Sequence, residues 1–246
     1  MKYVVITGAS KGIGKAIALS FLQEKNNFAF ALTYNTDYQG AYDTAFRLSE
    51  SGFFVILVKM DVSNPEEVEK GFEYIYQCFP RVDVLINNAG ISLIKPFQDT
   101  TFEEWNRIIS VNLNGVFHTT KQVVDKMKDE GGVILNVSSI WGEIGASCEV
   151  AFSTSKAGII GFSKALAKEF PISVKALSIG FVDTKMNSSL TKEEVDDFLQ
   201  RNPEVSLKTP EQIGKEIVQI TLSELDKVER KVYFQENDEP VVMKLW

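Results

Sequence analysis

Two cysteines, Cys78 and Cys148, and a single histidine, His118, are all that 246 residues contain of those two types. Two isolated thiols build neither a disulfide framework nor a metal cluster, and they fit a reducing cytoplasm. With one imidazole a His-rich metal site is excluded, and no metal is expected. His118, inside a helical stretch, is expected at a surface or an interface. Positive charge is also scarce: 26 Lys and Arg against 33 Asp and Glu leave a formal net charge of −7. That balance argues against nucleic acid or an anionic membrane as the main partner. No apolar run approaches the roughly 18–20 residues of a membrane span. Met1-Lys-Tyr-Val enters a strand at once, with no room for a signal peptide. What is present is an ordinary globular composition, 44% hydrophobic and 24% charged, on a length that suits one large domain over residues 1–246.

Short apolar runs alternate with stretches of helical periodicity. Residues 3–7, 28–34, 53–60, 82–86, 133–137 and 173–179 read as strands, with a last one at 231–234. Helices are expected over about 15–24, 38–50, 65–79 and 101–129, then through Phe152 to about Phe170, and over 191–200 and 210–225. Gly52 falls where a helix-ending glycine belongs, and Pro65 suits a first helical turn. Either Thr100 with Glu103 or Thr101 with Glu104 can form a capping box for the long helix. Alternation of this kind predicts an α/β fold, a Rossmann-type doubly wound parallel sheet of about seven strands flanked by helices.

The first strand runs into Gly8-Ala-Ser10-Lys11-Gly12-Ile13-Gly14, which opens the first helix. Three glycines alone would describe any tight strand–helix turn. Between a first strand and a first helix they fit a nucleotide site, because glycine lets the backbone approach a pyrophosphate and the helix N-terminus offers free N–H groups.

A second constellation lies at 136–164. The run Val133–Val137 ends in Ser138-Ser139, a loop carries Trp141 and Cys148, and a helical stretch carries Phe152 and Lys156 on one face, four residues apart. Together with the glycine loop, this segment resembles the short-chain dehydrogenase/reductase family, most closely its 3-oxoacyl-acyl-carrier-protein reductase-like members. In that family a serine is followed thirteen residues later by a tyrosine, and a lysine stands four beyond. Here the serine is Ser139 and the lysine Lys156, while Phe152 occupies the tyrosine position. The resemblance carries specific motifs from residue 1 to about 187.

The resemblance implies hydride transfer between a nicotinamide cofactor and a carbonyl or alcohol carbon. Ser139 would polarise the carbonyl oxygen, Lys156 would bind the nicotinamide ribose, and Asn112 would complete a water-linked proton path. Asp61 and Val62 match the pair that meets the adenine. Asn87, Asn88, Ala89 and Gly90 match the motif behind the adenosine ribose. Val182 and Thr184, after Gly180, match the segment beside the nicotinamide carboxamide, although Ile179 replaces the family's usual proline. Strand two ends in Thr33-Tyr34-Asn35 with no acid to hold a ribose 2′-hydroxyl, and Lys11 is well placed for a 2′-phosphate. NADP(H) is therefore expected rather than NAD, with Asp37 nearby as a counter-argument.

Phe152 keeps the packing of tyrosine and lacks its hydroxyl. An NADPH-dependent carbonyl reductase acting on a ketone, possibly a 3-oxoacyl thioester, is expected, impaired by the missing proton donor. Two origins of Phe152 stay open: a replacement of tyrosine, or the natural residue of a nucleotide-binding, non-catalytic protein. A third reading is isomerase-type chemistry on the same cofactor site. The substrate is expected to be a small or acyl-carrier-bound carbonyl compound. The resemblance also implies a homodimer or homotetramer, paired through the helices at 101–129 and 152–170. The family's usual glycine-rich ending is absent from 226–246.

Overall fold

The computed structural model describes residues 1–24, 27–184, 192–203, 205–229 and 241–246. In chain order these comprise β1 Lys2–Ile6, α1 Gly12–Ser20, β2 Phe28–Tyr34, α2 Tyr38–Glu50, β3 Phe54–Lys59, α3 Pro65–Cys78, β4 Val84–Asn87 and α4 Phe102–Ile109. They continue with α5 Gly115–Glu130, β5 Val133–Ser139, α6 Trp141–Ile144, α7 Val150–Glu169, β6 Ser173–Ile179, α8 Lys192–Arg201, α9 Pro210–Glu229 and β7 Val242–Leu245. Among the described residues the strands form one sheet in the order β3-β2-β1-β4-β5-β6-β7, with every pairing parallel. This is a Rossmann-like, doubly wound sheet. The winding reverses between β1 and β4, and a crevice opens at the carboxyl ends of strands at such a reversal.

Alternate residues along each strand face opposite helical layers. Val4, Ile6, Phe30 and Leu32 pack with Ile17 and Phe21, Leu48 of α2, and Ile213 and Ile217 of α9. Val5, Ala29 and Ala31 face Val68 and Phe72 of α3, Val123 and Met127 of α5, and Leu166 of α7. Burial on both faces explains why the strands read as nearly continuous apolar runs instead of alternating ones.

Two expectations are corrected. The helix expected over 101–129 is interrupted: α4 gives way to a π-helical turn, Ser110–Asn114, before α5 begins. Within that turn Asn112 donates from Nδ2 to the Ile91 carbonyl (2.9 Å) and accepts the Ile91 N–H at Oδ1 (2.9 Å). An extra residue in one turn is invisible to hydrophobic periodicity, and such bulges gather at functional sites. Of the two possible capping boxes, Thr101 with Glu104 is the one formed. The strand expected at 231–234 lies outside the described residues, and the edge strand they contain is β7, in register with β6 from Val242↔Ala176 to Leu245↔Ile179. A short helix, α6, also stands where a loop was expected. No helix among the described residues is long and apolar enough to cross a membrane.

Candidate active site

The crevice at the β1/β4 reversal is a cleft of about 820 Å³. Its floor begins with the glycine loop. Gly8 has φ +66°, a left-handed value that suits glycine, and a Cβ there would stand 2.9 Å from the Cα of Ala89. At Gly14 a Cβ would meet the Gly8 carbonyl oxygen at 2.3 Å and Asn88 Nδ2 at 2.4 Å. The loop is thus packed as tightly as its backbone allows against the end of β4. Asn88 Nδ2 donates to the carbonyls of Thr7 (2.9 Å) and Gly8 (3.1 Å), while the amides of Asn88 and Ala89 both donate to Thr7 Oγ1 (3.0 Å each). Lys11, at the N-cap of α1, makes no side-chain cap. The first residues of α1, Gly12 to Gly14, line the cleft, and a helix N-terminus there is a suitable seat for an anion. These features fit a dinucleotide.

Of the expected cofactor residues, Gly8, Ser10, Lys11, Gly12, Ile13, Gly14, Asn35, Asp61, Val62, Ala89, Gly90, Lys156, Val182 and Thr184 all line this cleft. Asn87 does not. Its side chain is buried behind the wall, donating to Asn136 Oδ1 (2.8 Å) and Thr120 Oγ1 (3.2 Å) and accepting from Thr119 Oγ1 (2.7 Å). The neighbouring Asn88 lines the cleft in its place. Asp61 accepts from Asn35 Nδ2 (2.9 Å) and Arg107 Nη2 (3.1 Å). Partial burial works against its charge, but bonds from Ser63 and Arg107 outweigh this and hold the carboxyl below its ordinary range. Asp37 caps α2 by accepting the Gly40 N–H at 3.0 Å.

At the opposite end, β5 delivers Ser139 and α7 delivers Phe152 and Lys156 to the same wall. Ser138 Oγ donates to the Lys156 carbonyl (2.8 Å), which ties the strand end to the helix. Ser139 faces the cleft, and its Oγ accepts the Trp141 N–H at 3.2 Å. Phe152 is 6% exposed, with Lys156 Nζ 5.4 Å from its ring centroid. Lys156 Nζ donates to the Val137 carbonyl (2.9 Å), and burial pushes its pKa down to about 8. Asn112 lies outside the cleft wall. Besides pinning Ile91 it donates to Ser155 Oγ (3.1 Å), so its side-chain donors and acceptor are engaged by protein.

The hydroxyls near Phe152 also meet protein partners. Ser155 Oγ donates to the Phe152 carbonyl at 2.7 Å, and Ser153 Oγ accepts the Ala146 N–H at 3.2 Å. His118 ties α5 to the segment after β3 through Val62, with Nδ1 2.9 Å from its carbonyl oxygen. Cys148 is half-buried in the loop before α7.

Several residues at or behind the wall escaped the sequence reading. Phe181, on the wall, and Phe198, behind it, form an aromatic cluster with Trp141, at centroid distances of 5.7 Å from Trp141 to Phe181 and 4.9 Å from Phe198 to each of the others. Only Trp141 had carried a signal, its place in the loop after Ser139. Arg107 meets Asp61 across 46 positions of sequence, which no local pattern reveals. Glu149 also lines the cleft. Its signal was present, since it stands three positions before Phe152, about one helical turn.

The family model for short chain dehydrogenases matches residues 2–195. Over 218 residues the chain is 35% identical to a 3-oxoacyl-acyl-carrier-protein reductase of Buchnera aphidicola, covering 87% of each chain. It is 33% identical to the enzyme of that name from Aquifex aeolicus over 229 residues, 91% of each. It is also 37% identical over 192 residues to 3beta-hydroxysteroid dehydrogenase 1 of Eggerthella lenta, covering 76% of this chain and 73% of that one.

Proposed function

The chain belongs to the short-chain dehydrogenase family, and from that premise we propose that it is an NADPH-dependent carbonyl reductase whose turnover is held down by Phe152. The observation that carries this reading is the meeting of Ser139, Phe152 and Lys156 with the glycine loop in one cleft. A nicotinamide cofactor bound there supplies hydride to a carbonyl carbon. The Ser139 hydroxyl donates to the carbonyl oxygen and stabilises the charge that develops on it. Lys156, held by Val137, is the cation for the nicotinamide ribose. Asn112 acts at one remove: it fixes the Ile91 backbone and, through Ser155, the turn that carries Phe152. Trp141 and Phe181 give the substrate end an apolar wall, which fits the acyl portion of a 3-oxoacyl thioester, free or carrier-bound. The direct test is NADPH oxidation with a short 3-oxoacyl thioester and a panel of simple ketones. Absence of turnover in both this chain and its Phe152→Tyr form, with NADPH bound, would remove the reductase reading. It would favour the second one, a nucleotide-binding protein without catalysis, for which the well-packed phenyl ring at 152 speaks.

NADPH should bind more tightly than NADH. Asn35 leaves the end of β2 without an acid, Lys11 lines the cleft, and Asp37 is engaged as a helix cap. Lys11→Glu should weaken NADPH about tenfold, roughly 1.4 kcal/mol, and NADH little. Equal affinities in a fluorescence titration of the unmodified chain would overturn this preference.

Self-association through α4–α5 and α7 is the corresponding expectation for quaternary structure. Phe102 is 86% and Phe117 49% exposed on the first of these surfaces, and two-fold pairing of like surfaces is the commonest way to cover such groups. Sedimentation at micromolar concentration should show a dimer or tetramer; a lone 27.5 kDa species would contradict it.

A further inference from the structure

We propose that the Glu149 carboxyl is the proton donor for carbonyl reduction in this chain, in place of the hydroxyl that Phe152 lacks. The inference rests on the reductase reading above. Glu149 is the residue from which α7 starts: its carbonyl accepts the Ser153 N–H at 2.8 Å. It stands at the N-cap of α7, three positions before Phe152, and lines the cleft together with Ser139, Trp141, Phe152 and Lys156. Its carboxyl makes no hydrogen bond or ion pair among the described residues. The residue before it, Cys148, has φ +61°, the one positive value among described non-glycine residues. That conformation is uncommon outside glycine and gathers at functional sites. The Cys148 carbonyl is held by the Lys95 N–H at 2.7 Å, so the chain enters Glu149 from a fixed, strained turn.

Other groups near Phe152 are poorly suited to the task. Ser155 donates its hydroxyl proton to the Phe152 carbonyl, and Ser153, turned toward the Ala146 N–H, does not line the cleft. Lys156 is 5% exposed, its Nζ is bonded to Val137, and it serves as the cation for the nicotinamide ribose. Glu149 is half-buried, with a side open to water. Burial raises its pKa to about 7, so near neutral pH a substantial fraction carries the proton that a general acid needs. The charged groups on neighbouring elements are accounted for. Lys156 lies on its own helix, Lys95 is paired with Glu104, Glu143 of α6 stands near Lys244, and Asp183 follows β6. The shift of Glu149 comes from burial alone.

The step balances. As the carbonyl carbon gains a C–H bond from the hydride, its π bond opens toward oxygen. The Glu149 O–H bond breaks, the proton joins that oxygen to give the alcohol, and the carboxylate left behind regains a proton from water.

The test uses the full chain with NADPH and the ketone and thioester panel. Expected is slow but measurable turnover whose kcat falls as pH rises through about 7. Glu149→Gln should lower kcat about ten- to hundredfold and abolish that fall. In a Phe152→Tyr background the same change should cost far less, because the tyrosine then supplies the proton. A readout free of activity is thermal unfolding. A carboxyl whose folded pKa is about 7 against about 4.3 unfolded costs stability progressively as pH rises between those values and fully above the higher one, so Glu149→Gln should raise Tm at pH 8 and leave it nearly unchanged at about pH 4. Unfolding curves also report whether the variant folds, and the pH profile of the unmodified chain stands without any variant. A profile flat through pH 7, or a Glu149→Gln kcat equal to the parent's, overturns the proposal. Turnover in the Phe152→Tyr form alone overturns it while sparing the reductase reading. Turnover in neither form removes both.

Discussion

Phe152→Tyr should raise ketone reduction at least about a hundredfold, which corresponds to some 2.7 kcal/mol of barrier. The restored hydroxyl would enter the cleft wall between Ser139 and Lys156. A free phenol has a pKa of about 10. The ammonium of Lys156, already 5.4 Å from the ring centroid, favours the phenolate and so makes the phenol a better acid at neutral pH. Nucleotide affinity should barely change, because the added oxygen lies at the substrate end, away from Gly8, Gly14 and Asp61. A rise in kcat with an unchanged NADPH dissociation constant is the expected pattern. Equal rates for the two forms would show that position 152 is not where the proton is handled.

Gly14→Ala should have the next largest effect, a loss of about ten- to hundredfold in nucleotide affinity together with a lowered Tm. The new methyl would lie 2.3 Å from the Gly8 carbonyl oxygen and 2.4 Å from Asn88 Nδ2. Neither can give way cheaply. The first is backbone at the end of β1, and the second is held by two carbonyls. Relieving the clash means lifting the start of α1 away from β1. Overpacking of this kind costs about 1–3 kcal/mol, and every 1.4 kcal/mol that falls on the bound state is tenfold in affinity. The amides that would seat a pyrophosphate move with the helix. A variant with unchanged binding and unchanged Tm would mean that the loop is softer than its contacts imply.

The sheet and both ends of the cleft were legible because they rest on local regularities. A strand, a glycine-rich turn and a helix follow one another within residues 2–20, and Phe152 and Lys156 share a face by helical spacing alone. What was not legible depends on groups far apart in sequence. Periodicity saw one helix across 101–129; the π-turn exists because Asn112 reaches Ile91, 21 positions away. The alignment of motifs grouped Asn87 with Asn88, yet adjacent residues leaving a strand point to opposite sides, one into the Thr119–Asn136 network and the other toward Gly8. The edge strand lacks any local mark of its partner, since Val242 meets Ala176 only through the fold. Glu149 was within reach: an acid one helical turn ahead of a missing hydroxyl is a pattern that spacing alone displays.

The aromatic cluster has an optical consequence. Trp141 lies edge-on to Phe181 and Phe198 at the substrate end of the cleft, with its amide bonded to Ser139. Its indole emission is therefore placed to respond to whatever fills that end. A reduced nicotinamide absorbs in the range where tryptophan emits, so the residue that walls the substrate also offers a built-in spectroscopic probe. Trp105 and Trp246 emit as well, and a Trp141→Phe form would isolate the signal that belongs to the cleft.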